Sequence, residues 1–135
     1  MLQAEQYVID SGLDYVVLRL SGLIGPQRHP SRFVSKLKQV SRLAPVNMVH
    51  LTDAIRAISY SIDSLSHEIV NVTSPHTVTK DHFYKMALDH FNEPASLLPT
   101  IVDTVDKRIV TKKLIELGFQ YQNPDVSAAL ESIDD

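Results

Sequence analysis

There is no cysteine among the 135 residues, so a disulfide framework, a thiolate metal site and a cysteine nucleophile are all excluded. Long apolar runs are missing too. None approaches the roughly 20 residues that cross a bilayer, and no basic-then-apolar leader opens the chain, so no membrane role is expected and a cytoplasmic protein is the default. Nor is there an excess of charge of one sign. Thirteen basic and 16 acidic residues give a formal net charge of −3, interleaved along the chain, which argues against nucleic acid as a partner. The six histidines, at positions 29, 50, 67, 76, 82 and 90, form no H-x-x-x-H or H-E-x-x-H pair, so no metal site is expected. Ser21 lacks the preceding glycine of a G-x-S-x-G elbow, and the G-L-I-G stretch runs into Pro26 where a phosphate loop would need G-K-[ST].

The stretch from Tyr15 to Arg28, YVVLRLSGLIGPQR, carries the most information. Its β-branched and aromatic residues show no clean alternation, which suggests a parallel strand over Tyr15 to Leu20 covered on both faces. Ser21-Gly22 and Gly25-Pro26 then read as a turn. In open α/β sheets ligands settle beyond the carboxyl ends of the strands, where glycine lets backbone approach a ligand; the alternative is that these residues simply make the turn. Arg19 is a single charge inside the apolar run and needs a partner.

Around this strand the spacing predicts a helix over Leu2 to Ser11 closed by Gly12, and a helix from Pro30-Ser31 with Phe33, Leu37 and Val40 along one stripe. Lys36, Lys38 and Arg42 read as a solvated face. Val46 to Leu51 is extended, and Thr52 or Asp53 caps a third helix that packs through Leu51, Ile55, Ile58 and Ile62. Asp53 is either that cap or a partner for Arg19, and His50 reads as a structural residue. Glu68 to Thr73 is a second strand, parallel to the first. Thr79 caps a helix over Lys80 to Phe91 that ends at Asn92-Glu93-Pro94; Ser96 to Val105 reads as a loop. Short helices follow, one from Thr111 to Leu117 closed by Gly118 and one capped by Asp125. The whole of 1–135 is expected to form a single α/β domain.

Several of these segments carry a family resemblance. The order L-R-x-S-G-x-x-G-P-x-R, preceded by A-E-Q and followed by V-N-x-V-H-L-x-D, Lys107-Arg108 and K-L-I-E-L-G-F, resembles the C-terminal half of an extended or atypical short-chain dehydrogenase/reductase, an NAD-dependent epimerase/dehydratase-like protein. The resemblance runs from Leu2 to about Pro124. It implies a partial NAD(P)-binding Rossmann-like fold with about two parallel strands and several flanking helices. It also implies that the glycine-rich phosphate loop and the Tyr-x-x-x-Lys catalytic pair of such proteins lie outside this sequence, so that no catalytic residue is assigned here.

On the same resemblance Leu20, Ser21 and Gly22 line the nicotinamide-ribose end of a cofactor cleft, and Arg28, His29 and Asn47 face substrate. Arg28 is then either a solvated loop charge or a bidentate partner for an anionic group. Where the family's nucleotide-sugar enzymes carry an Arg-Asp pair, this sequence has Val46-Asn47, which points to atypical members of the group. NAD or NADP is implied for the intact protein and none for this chain alone; a small-molecule substrate is implied once the amino-terminal half is supplied. The chain is expected either to be the substrate-side portion of such an oxidoreductase, or to be a stand-alone assembly module of the same fold. Either way, self-association or pairing with a separate cofactor-binding half is expected, because an unpaired strand edge seeks a partner.

Overall fold

Val16–Leu20 (β1) and Glu68–Val72 (β5) run parallel and in register, Val16 opposite Glu68 and Leu20 opposite Val72. These are the two strands the sequence predicts. The computed structural model describes residues 2–134. Four shorter strands join them in two further parallel pairs: Gly22–Ile24 (β2) with Met48–His50 (β4), and Gln39–Ser41 (β3) with Thr100–Val102 (β6). The helices are Leu2–Asp10 (α1), Ser31–Val34 (α2), Leu51–Ser64 (α3), Lys80–His90 (α4), Lys112–Glu116 (α5) and Val126–Glu131 (α6), with a single 3-10 turn at Ala95–Leu97. The result is an α/β fold.

Local chemistry sets most boundaries. Gly12 takes φ +76° and closes α1; Gly118 takes φ +103° after α5. The Asp125 carboxylate accepts from the Ser127 and Ala128 amides at 2.9 and 3.0 Å and caps α6. Three predicted boundaries differ. The helix opening at Ser31 stops at Val34, and Val40 lies in β3, because β6 offers that segment a strand partner that no local pattern shows. The same pairing turns part of the predicted loop at 96–105 into β6. Ser21-Gly22 is no turn: the chain continues extended from β1 into β2 and changes partner there.

Two cores result. One gathers Ile24, Val34, Val40, Val46, Phe83, Ala87, Leu88, Val126, Leu130 and Ile133 between α4, α6 and the short strands. The other packs α3 and α5 on the β1–β5 pair through Val49, Ala54, Ala57, Val70, Val72, Leu114 and Phe119. The second is built on a small-residue contact, since α3 buries Asp53, Ala54, Ala57 and Ser61. Leu51, Ile55, Ile58 and Ile62, expected to be its packing face, point outward with 37%, 57%, 44% and 78% exposure. Apolar periodicity finds the largest side chains, whereas close approach to a sheet selects the smallest.

Asp53 does not meet Arg19. Its carboxylate is fully buried and accepts from the Gln122 and Asn123 amides at 2.8 and 2.7 Å and from Arg56 at 3.0 Å, tying α3 to the segment after α5. Arg19 instead reaches α1, where its guanidinium forms a two-pronged pair with Glu5 at 3.0 and 2.8 Å.

The cap of α3 is His50, not Thr52 or Asp53. Its Nδ1 accepts from the Thr52 amide at 3.1 Å. Burial lowers its pKa from the usual histidine value, with Asp53 opposing. A base with a depressed folded pKa contributes stability above its unfolded pKa, about 6.5, and loses it as pH falls below that value. The stability difference between wild type and His50→Asn, which keeps a capping oxygen, should therefore shrink as pH falls from about 7.5 to about 5 in denaturant titrations. A flat difference would show that the imidazole does not titrate against the cap.

Candidate functional site

The point where one extended chain changes partners is the most distinctive local geometry in the molecule. Up to Ser21 the chain pairs with β5, and the Ser21 amide donates to the Val72 carbonyl at 3.0 Å. From Gly22 it pairs with β4, and the Gly22 amide donates to the Asn47 carbonyl at 3.1 Å. The Ser74 amide and Thr73 Oγ1 both donate to the Met48 carbonyl, at 2.8 and 3.3 Å, and so join the end of β5 to the start of β4. Ser21, Gly22, Asn47, Met48, Thr73 and Ser74 thus meet at the carboxyl end of the β1–β5 pair. In open α/β folds this is where ligands bind.

Two hydroxyls at this junction, those of Ser21 and Ser74, are buried without a hydrogen-bond partner. Orphaned buried groups of this kind are uncommon and mark strain, water or a ligand position. Leu20 beside them is 41% exposed. The backbone amides of Ser21 and Gly22 are engaged within the chain, so the Ser21 hydroxyl, not these amides, is the donor left for a ligand. A Cβ on Gly22 would meet Met48 Sδ, the end of a flexible side chain that can move aside.

The three proposed substrate residues separate. Asn47 is half-buried and clamps the segment after β6: its Nδ2 donates to the Lys107 carbonyl at 3.2 Å and its Oδ1 accepts from the Ile109 amide at 2.9 Å. That strap is further held by an Arg42–Asp103 ion pair, by Lys80 to Asp106 at 3.4 Å, and by Arg108 donating to the Pro75 carbonyl at 2.8 Å. Arg28 is exposed, with Nε donating to the Leu23 carbonyl at 3.2 Å and the guanidinium 5.3 Å from the Phe33 ring centroid. His29 lies in the core, stacked on Phe91 at 4.1 Å with Nδ1 2.8 Å from Ser31 Oγ. Flat aromatic packing drew it inward where the sequence places a pocket residue.

Sequence reasoning missed a recess of about 290 Å³ lined by Leu37, Gln39, Val40, Val46, Asn47, Met48, Lys80 and Tyr84. Lys80 and Tyr84 stand one turn apart on α4, and burial pushes the Tyr84 phenol up, which keeps it protonated at neutral pH. Its lining comes from residues 37–40, 46–48 and α4, which only the fold brings together, so no local motif announces it. Among the described residues no group of three or more histidines and carboxylates gathers as a metal site, and no helix is long and apolar enough to cross a membrane.

No family model matches the chain. It is 35% identical over 117 residues to Protein YeeZ of Escherichia coli K12, a match that takes in 84% of this chain and 43% of that protein. The chain therefore spans less than half the length of this curated relative. Among solved structures, a functionally unknown conserved protein from Silicibacter pomeroyi superposes with a TM-score of 0.77 at 22% identity, over 98% of this chain and 53% of that one. The enzyme WbmH of Bordetella bronchiseptica, solved with NAD+, gives 0.70 at 19% identity over 96% and 47%. UDP-glucose 4-epimerase of Thermotoga maritima gives 0.65 at 19% over 96% and 49%. The chain has the fold of about half of such an epimerase/dehydratase-type protein.

If the Ser21 hydroxyl is held for a ligand, removing it from the isolated chain should cost nothing. Ser21→Ala is expected to leave stability unchanged or raise it by up to about 1 kcal/mol in urea unfolding, since a buried orphan is removed. A loss of more than about 1 kcal/mol would mean the hydroxyl already has a structural partner.

Proposed function

We propose that this chain is the substrate-side, C-terminal portion of an NAD(P)-dependent epimerase/dehydratase-like oxidoreductase and does not catalyse a reaction by itself. The observation that carries this reading is the orphaned Ser21 hydroxyl beside exposed Leu20 at the carboxyl end of a parallel pair. Half-length likeness to proteins solved with NAD+ supports it.

The residues present suit one end of a dinucleotide. Leu20 offers apolar contact and Ser21 a hydroxyl, which fits a nicotinamide ribose or carboxamide; the diphosphate falls to the complementary half. When bound, the nicotinamide supplies hydride acceptance and donation. The tasks left to this chain are to bind and to orient. Arg28, exposed on its loop, can pair with an anionic group of a substrate. Asn47 acts through the strap it clamps, fixing the 105–110 segment against the ends of β4 and β5. The general acid/base belongs to the complementary half.

The isolated chain should show no saturable heat with NAD(H) or NADP(H) in titration calorimetry. A dissociation constant in the low micromolar range would place a complete cofactor site in this chain and defeat the reading.

A further inference from the structure

The strap after β6 lies on the surface of the molecule. Among the described residues, none from 103 to 110 belongs to either core, and Val105 and Val110 are 83% and 56% exposed. What holds the segment is polar, chiefly the Arg42–Asp103 pair, the two Asn47 bonds and the Lys80–Asp106 pair. A segment with few buried apolar contacts and exposed polar bonds opens at low free energy while the cores stay folded.

Two of the residues that hold the strap, Asn47 and Lys80, also line the recess of about 290 Å³. Lys80 carries the one charge among the described lining residues, beside the Tyr84 phenol and apolar Val40, Val46 and Met48. An ammonium set among apolar walls suits an anionic group, because low local dielectric strengthens the pairing. That ammonium is already engaged. Asp106 reaches it from the strap at 3.4 Å. The Lys107 amide, donating to the other carboxylate oxygen at 2.8 Å, and then Lys80 hold the Asp106 carboxyl below its usual range, so it is an anion at neutral pH.

We propose that the Lys80–Asp106 pair is an autoinhibitory contact: the strap's own carboxylate occupies the recess ammonium, and an anionic small molecule entering the recess takes Lys80 from it and releases the strap. Closure of the strap and anion binding in the recess then oppose each other, each weakening the other by the same factor. The pair is partly exposed, with side-chain exposure of 33% for Lys80 and 56% for Asp106, so its hold is that of a surface ion pair. Removing the internal competitor is expected to tighten anion binding by about two- to fivefold. The contact lies wholly within this chain and stands apart from the proposed function.

The probe is inorganic phosphate, titrated into the chain at constant ionic strength and followed by NMR at the Tyr84 ring. Wild type should show a saturable shift that Lys80→Met abolishes, and Asp106→Asn should lower the half-saturating concentration about two- to fivefold. Asp103→Asn removes the strap carboxylate that pairs with Arg42, changes the net charge equally, and should bind as wild type. Asp103 and Asp106 are both exposed, so these two variants should keep the wild-type circular dichroism spectrum. In wild type the Ile109 amide, bonded to Asn47, should exchange faster at saturating phosphate than without it. The proposal is overturned by the absence of a saturable shift, by unchanged binding in Lys80→Met or in Asp106→Asn, by an equal gain in Asp103→Asn, or by an Ile109 amide that does not respond.

Discussion

A parallel strand has two edges and two faces to satisfy, and the chain satisfies only part of β1. It supplies β5 on one edge, α3 on the Leu18 face, and the Glu5–Arg19 pair as a tether to α1. α1 buries none of its residues, and Leu2 and Tyr7 on it are 73% and 70% exposed. Much else follows from this incompleteness. The α3 row is apolar and uncovered, and the Ser21 hydroxyl at the end of β1 has nothing to bond.

The rest of the molecule is more self-sufficient. The core of α4, α6 and the short strands encloses Phe83, Val34, Leu130 and Ile133 almost completely, and Thr77, Ser41 and His90 tie its loops by bonds to the Val46, Thr104 and Ile133 carbonyls. The strap from Asp103 to Thr111 joins the two cores, because Arg42, Asn47 and Lys80 hold it on one side and Asn71 and Thr111 on the other. The α4–α6 core is thus closed among its own residues, beside a β1–β5 pair whose β1 edge is open among the described residues.

Strands β1 and β5, α4, the glycine-closed ends of α1 and α5 and the Asp125 cap were legible because each rests on residues adjacent in sequence. The short parallel pairs were not. β3 and β6 lie some sixty residues apart, and neither three-residue run has a pattern of its own. The orientation of α3 was misread because Ala54, Ala57 and Ser61 carry little hydrophobic signal yet are the residues that let the helix reach the sheet. At the candidate site, the position of Ser21 at the carboxyl end of an apolar strand could be read from the sequence. The inward packing of His29 against Phe91 and the strap-clamping role of Asn47 depend on contacts across about sixty residues, which no motif encodes.

The most direct test of β1 as a strand satisfied on one side only is amide hydrogen exchange of the isolated chain, followed residue by residue by NMR. The Val17 and Arg19 amides, directed at β5, should be protected, while those of Leu18 and Leu20 exchange much faster. Equal, strong protection at all four would mean that β1 is already paired on both sides, by self-association or otherwise, and would contradict the open β1 edge.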